Sequence, residues 1–274
     1  MSLSRSDIQA LLAEHGIRPT KTLGQNFVAD PNTVTRIAAL ADLGPGASVV
    51  EIGAGLGSLT LALAAAGASV VAIEVDRRLA GVLRSTVAGL DVEVVEADAL
   101  RLSWSELLAT RLQPVEVVAN LPYRVATPIM VRVLEEAPAI GRFLVMVQRE
   151  VGQRWTAAPG DPAYGAVSVK IAYWSVATLV GKVSANVFVP RPKVDSTLVR
   201  LVRRPRPAVD PAVVPYRRFE AVVRAGFAHR RKMLRRGLAG VVEPGAFARA
   251  GVDPSARAEE LDVTAWGRLA EVTG

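Results

Sequence analysis

A chain of 274 residues, half of them hydrophobic, is long enough to bury one large domain plus a smaller one, which excludes a short peptide or a disordered tail. It has no cysteine, so disulfides, thiolate metal sites and a cysteine nucleophile are excluded, and a reducing compartment is compatible. The net charge of +7 is unevenly placed: from Arg200 to Gly240 twelve Arg or Lys stand against Asp210 and Glu220, a local +10 that leaves the remainder at −3. Charge concentrated on one module is what phosphate neutralisation requires, although a merely solvated arginine-rich surface has the same composition.

The N-terminal segment carries charges and a helical pattern where a secretory signal needs a continuous apolar core. The longest apolar stretch, Leu59 to Ile73, is interrupted by Gly67 and ends at Glu74, too short to span a bilayer. The expectation is a soluble cytoplasmic protein with no membrane partner.

Two helices are predicted first, Arg5 to His15 and Asn32 to Ala41, the second preceded by Asp30 as cap and Pro31 as first-turn residue. From Ala47 to Arg200 six short apolar runs follow: ASVVEIGAG, ASVVAIEVD, VEVVEADAL, VEVVANLPY, GRFLVMVQRE and STLVRLVRR. Runs rich in β-branched residues, separated by segments long enough for helices, predict an α/β domain with a parallel sheet and crossover helices. Arg203-Arg204-Pro205-Arg206-Pro207, followed by Asp210-Pro211 and Pro215, has the composition of a linker. Helical patterns then cover Tyr216 to Ala228, Arg231 to Leu238 and Thr264 to Val272. The expected division is a Rossmann-like domain with an N-terminal helical extension over residues 1–204 and a small all-helical domain over 205–274. No internal repeat is visible.

Val49 to Gly57 places Gly53, Gly55 and Gly57 directly after a buried strand and before a helical pattern. Glycines there permit positive φ and let a ligand approach the backbone at the strand's carboxyl end. The dinucleotide spacing GxGxxG would need a glycine at Ser58; the spacing here is GxGxG preceded by Glu51, the form used for S-adenosylmethionine, and a nicotinamide cofactor fails on it. Glu74 ends the next run, where its carboxylate can accept both ribose hydroxyls, and Asp98 follows the third run, placed to accept from the adenine amine of the cofactor. Singly, the glycines read as a tight turn and each acid as a cap or surface charge; three such features at three successive strand ends point to a nucleotide site.

The fourth run leads directly into Asn120-Leu121-Pro122-Tyr123. The exocyclic nitrogen of adenine is a poor nucleophile because its lone pair is delocalised into the ring. The Asn120 side-chain oxygen and the Leu121 carbonyl can each accept one amine hydrogen, turning that lone pair toward a sulfonium methyl. Pro122 stiffens the turn, and Tyr123 offers a face on which an unpaired base can stack. No metal and no general base are needed. In isolation the tetrapeptide is also an ordinary β-turn.

Five segments in order along the chain resemble the ribosomal RNA adenine dimethyltransferase family, in its small-subunit (16S) branch, KsgA/RsmA: Leu23-Gly24-Gln25-Asn26-Phe27-Val28, the glycine loop EIGAGLGSLT, the NLPY turn, Asn186 to Ser196 (NVFVPRPKVDS), and Phe227 to Leu238 (FAHRRKMLRRGL). The resemblance implies dimethylation at N6 of two adjacent adenines in a hairpin loop near the 3′ end of 16S rRNA, in a partly assembled small ribosomal subunit, as a step of ribosome biogenesis. It implies that Gln25, Asn26 and Val28 lie over the cofactor, with Gly53, Gly55, Glu74, Asp98 and Asn120 completing its site, and that Phe188 is a second aromatic around the target base, opposite Tyr123. Without the family, Phe188 between a polar run and two prolines is equally a core residue. Val28 stands where a leucine is usual, which keeps an apolar contact. Arg230, Arg231, Lys232, Arg235 and Arg236, spread around a helix, fit phosphate contacts in a folded RNA. The protein is expected to act as a monomer.

Two alternatives share parts of this pattern. The related enzymes acting on large-subunit rRNA have the glycine loop and an NLPY-type turn, but FVPRPKVDS and FAHRRKMLRRGL favour the small-subunit branch. An assembly or transcription factor on the same scaffold would not need the glycine loop, Glu74, Asp98 and NLPY intact.

Overall fold

The computed structural model of the chain describes residues 2–20 and 24–273, so Leu23 of the first motif lies outside the described residues. Contacts divide the chain into two compact units, Met1–Gly152 with Thr178–Val202, and Gln153–Ala177 with Arg203–Gly274.

In chain order the strands are β1 (Phe27–Val28), β2 (Ser48–Ile52), β3 (Ser69–Glu74), β4 (Val92–Glu96), β5 (Val115–Asn120), β6 (Ile140–Gln148), β7 (Ser175–Val183), β8 (Phe188–Val189) and β9 (Ser196–Arg203). Seven of them form one sheet in the order β4-β3-β2-β5-β6-β9-β7, and β1 pairs with β8 separately. From β4 to β6 all neighbours are parallel, whereas β9 runs antiparallel to β6. The six apolar runs are thus all strands, and the last one closes the parallel sheet in the opposite sense. β2 is buried at all five positions because it lies between β3 and β5 with helices over the sheet, the setting in which strands read as continuous apolar runs.

The first unit carries helices α1 (Arg5–Glu14), α2 (Pro31–Ala41), α3 (Ser58–Ala65), α4 (Arg77–Thr86), α5 (Trp104–Leu108) and α6 (Ala126–Glu136). α2 begins as predicted: the Asp30 side chain accepts the Thr33 N–H, and Pro31 occupies the first turn, where a missing N–H costs nothing. Asp76 caps α4 in the same manner, accepting from Arg78 N–H.

The second unit draws on α7 (Arg149–Thr156), which crosses from one unit to the other, α8 (Ala166–Trp174), α9 (Tyr216–Ala228), α10 (Leu234–Gly237), α11 (Pro244–Ala250) and α12 (Val263–Glu271). Its core joins Phe219, Val223, Leu234, Phe247, Trp266 and Leu269. Gly226 lets α9 and α12 close on each other, since a Cβ there would lie 2.3 Å from the Trp266 ring. The unit differs from the division expected at 204/205 by including Gln153–Ala177. That segment is held by its aromatics: the Tyr173 ring lies 4.8 Å from Phe219, and the Tyr164 hydroxyl donates to Leu261 O at 2.8 Å.

The helix predicted over Arg231 to Leu238 is reduced to Leu234–Gly237. Its would-be first turn is spent elsewhere: Lys232 N–H donates to His229 O, Leu234 N–H to Ala256 O, and Met233 bridges Arg257. Among the described residues no helix is long and apolar enough to cross a membrane.

Candidate active site

β2 runs on to β3 and β4 on one side and meets β5 on the other, so the chain reverses its strand order at β2/β5. Ligands of open α/β sheets bind outside the carboxyl ends of the strands at such a reversal. Register puts Ile52 opposite Ile73 and Asn120 opposite Met146, which brings the glycine loop, Glu74 and the Asn120 turn to one edge of the sheet. There a cleft encloses about 710 Å³ of non-atom space including its open mouth, lined by residues 24–28, 53–56, 74–75 and 120–123 among others.

Two glycines are demanded by this geometry. Gly53 has φ +75°, and a Cβ on it would stand 3.2 Å from the Pro122 ring. Gly55 has φ +61°, and its Cβ would meet the Phe27 ring at 3.0 Å. The backbone can therefore lie against the cleft only without side chains. Gly55 N–H donates to Glu74 Oε2 at 2.8 Å and Asp76 N–H to Oε1 at 2.9 Å. Each Glu74 oxygen keeps acceptor capacity for a ligand hydroxyl. Burial raises the Glu74 carboxyl above the ordinary range, and those two donors oppose it.

The Asn120 turn is fixed from several sides. Leu121 N–H donates to Met146 O at 3.1 Å, and Val125 N–H closes the turn on Pro122 O at 3.1 Å. Asn120 Nδ2 donates to Asn26 O at 3.1 Å, which directs Oδ1 away as the free acceptor. Oδ1 is buried without a hydrogen-bond partner, and Asn120 lines the cleft. A buried acceptor left unpaired costs free energy unless a ligand donor meets it. The Tyr123 hydroxyl meets Ser196 Oγ at 2.6 Å, and burial raises its pKa.

Of the residues singled out in the sequence, Gln25, Asn26, Val28, Gly53, Gly55, Glu74 and Asn120 to Tyr123 all line this cleft. Asp98 does not: its Oδ1 accepts Leu100 N–H at 2.9 Å, it caps the turn after β4, and its side chain is 41 % exposed. The chain passes close by, since Ala97 N–H donates to Glu74 O at 3.1 Å. Phe188 is fully buried in the core with Val28, Leu144, Met146 and Leu198, outside the cleft lining, because β8 pairs it opposite Val28. Arg230, Arg231, Lys232, Arg235 and Arg236 are exposed in the second unit, split between a turn and the four-residue α10 rather than carried round one helix. Arg230 is paired with Glu259 at 2.5 Å.

Sequence reasoning named Glu51 only as the acid of the glycine motif and passed over two further features. Glu51, 2 % exposed, lines the cleft with Oε2 accepting the Thr60 hydroxyl at 2.6 Å, and burial pushes its carboxyl up to about 8. Gln25 Nε2 donates to Asp76 Oδ2 at 3.1 Å, tying the N-terminal segment to the Glu74 turn. Val75 lines the cleft although half exposed. The position of Asp76 two residues after the strand-end acid was the available signal. Among the described residues no group of three or more His, Cys, Asp or Glu could hold a metal ion.

The family model described as ribosomal RNA adenine dimethylase matches residues 17–273. A protein of Arthrobacter sp. (strain FB24) named ribosomal RNA small subunit methyltransferase A is 46 % identical over 97 % of this chain and 91 % of its own. One of the same name from Thermobifida fusca (strain YX) is 47 % identical over 98 % and 95 %. The solved 23S rRNA methyltransferase ErmE is 31 % identical with a TM-score of 0.68, covering 90 % of this chain and 99 % of that one. With the cleft, the glycine loop and the unpaired Asn120 acceptor in place, the match over nearly the whole chain settles its kinship: it belongs to the ribosomal RNA adenine dimethylase family.

Proposed function

We propose that the protein transfers methyl groups from S-adenosylmethionine to the N6 amines of two adjacent adenines in a hairpin loop near the 3′ end of 16S rRNA, giving N6,N6-dimethyladenosines. The observation that carries this reading is the buried, unpartnered Asn120 Oδ1 at the wall of the cleft that the glycine loop and Glu74 also line. S-adenosylmethionine, when bound, supplies an electrophilic methyl on a sulfonium. Glu74 would accept its ribose hydroxyls, Gln25, Asn26 and Val28 would cover it, and the bare backbone at Gly53 and Gly55 would leave it room.

The target base leaves its stack and lies on the Tyr123 ring, whose stacking, about 1–3 kcal/mol per base, offsets part of the cost of unstacking. Asn120 Oδ1 and the Leu121 carbonyl each accept one amine hydrogen, so the nitrogen lone pair points out of the ring plane toward the methyl. The amine loses its proton to solvent after transfer, which is why no side chain has to act as a base. After the first transfer the remaining N6 hydrogen occupies one acceptor, and the new methyl faces the other. Asp98, in the turn after β4 beside the end of the Glu74 strand, would accept from the cofactor's adenine amine, whereas Phe188, fully buried opposite Val28, has no part in holding the target base.

Arg230, Arg231, Lys232, Arg235 and Arg236 contact phosphates of the rRNA in a partly assembled small subunit, where the protein works as a monomer in the cytoplasm. Identity of 46–47 % to relatives named for the small subunit, against 31 % to a 23S enzyme, supports the small subunit over the large. Isolated small and large subunits lacking the modification, offered labelled cofactor, test the reading. Label is expected in the small subunit at two adjacent adenines; label only in the large subunit overturns it.

A further inference from the structure

A stacking ring positions a base only when its own direction is fixed, and the Tyr123 ring is held at its far end. Its hydroxyl meets Ser196 Oγ at 2.6 Å. Ser196 is 1 % exposed and opens β9, opposite Gln148 of β6. Just before it, Asp195 O accepts Arg149 N–H at 3.0 Å, and Asp195 Oδ1 accepts Ala185 N–H at 2.9 Å. Ser196 therefore sits on sheet backbone pinned from both sides, and among the described residues its hydroxyl has no partner other than Tyr123. This places a rigid anchor under a side chain that otherwise turns about two single bonds.

We infer that Ser196 is a positioning residue for methyl transfer: through the Tyr123 hydroxyl it sets the tilt of the ring, and with it the plane in which the adenine presents its amine to Asn120. The inference rests on the methyl-transfer reading above. Transfer needs the reacting atoms about 3–3.5 Å apart and aligned, so a shift in tilt acts on the chemical step, while the stacking face remains available for binding. The second transfer is the more demanding, because the monomethylated amine has one hydrogen left to orient it.

The test is a double-mutant cycle of Ser196→Ala and Tyr123→Phe on small subunits lacking the modification, with S-adenosylmethionine binding measured by calorimetry. Each single change is expected to lower kcat about 3- to 10-fold, the worth of one hydrogen bond. KM for subunits and Kd for the cofactor should stay within about twofold, and the share of monomethyladenine should rise. The double variant should be no slower than the slower single, because both remove the same contact. Additive losses, a loss confined to cofactor Kd, or an unchanged kcat in Tyr123→Phe overturn the inference. Should Ser196→Ala fail to bind cofactor, Tyr123→Phe decides alone. Failure of the unaltered protein to label small subunits overturns the functional reading and this inference with it.

Discussion

Replacing Glu51 by Gln should make the protein more stable at neutral pH, and the size of the effect follows from where Glu51 sits. It is a buried carboxyl near the carboxyl end of β2, and its environment pushes it up to about 8 from 4.5, with burial the main cause, Thr60 opposing and Glu74 adding. Below about pH 4.5 both folded and unfolded chains hold this proton, and the group makes no difference between them. Between 4.5 and 8 the unfolded chain releases it while the folded chain keeps it, so stability falls with rising pH by about 1.4 kcal/mol per unit. From pH 5.5 to 7.5 that is about 3 kcal/mol, a ceiling because relaxation around the buried group reduces it. Gln has the same shape and keeps an oxygen for the Thr60 hydroxyl, but has no proton to exchange. Urea unfolding of the cofactor-free protein at both pH values should therefore show the variant gaining on the parent as pH rises, with m unchanged. If the two proteins lose stability in parallel from pH 5.5 to 7.5, Glu51 is ionised in the folded state and the burial argument is wrong.

Asn120→Ala removes the buried acceptor at the reacting amine and should lower kcat about 10²- to 10³-fold while subunit binding by filter retention persists; unchanged turnover would falsify its role. Gly53→Ala forces a side chain onto φ +75° with its Cβ 3.2 Å from the Pro122 ring, so thermal unfolding should show a loss of about 1–2 kcal/mol and calorimetry a weaker cofactor. Equal stability and affinity would show that the loop yields at no cost. Arg231→Gln and Arg236→Gln should each reduce the salt slope of rRNA binding by about 1 without touching cofactor affinity. Arg230→Gln should change that slope less, since Arg230 is paired with Glu259; equal effects would mean the pair opens on RNA.

The parallel sheet was legible because burial on both faces leaves short apolar runs rich in β-branched residues, such as Ser48–Ile52 and Ser69–Glu74, whereas the equally apolar α3 is made of Leu and Ala. β7 escaped notice for the complementary reason. It is an edge strand with Val176, Thr178 and Leu179 exposed, so its pattern is neither a buried run nor a clean alternation. α11 was overlooked because seven residues opening on Pro-Gly look like a turn. The shortened α10 and the assignment of Gln153–Ala177 to the second unit both depend on partners far along the chain, Ala256 for the one and Phe219 for the other. No local periodicity encodes such partners.

The same division runs through the candidate site. Glycine spacing, strand-end acids and the tetrapeptide after β5 name residues whose chemistry is local, and these are the ones that meet in the cleft. What a side chain does there depends on distant neighbours. Phe188 is drawn into the core by pairing with Val28, far earlier in the chain, and Asp98 turns to cap its own loop. Asn120 is the sharpest case: its amide has a donor end and an acceptor end, and only the acceptor end can take a hydrogen from an adenine amine. The choice between them is made by Asn26, 94 residues earlier, whose carbonyl occupies the donor and leaves Oδ1 bare. The motif names the residue proposed for the chemical centre; a backbone oxygen from the N-terminal segment decides which way it faces.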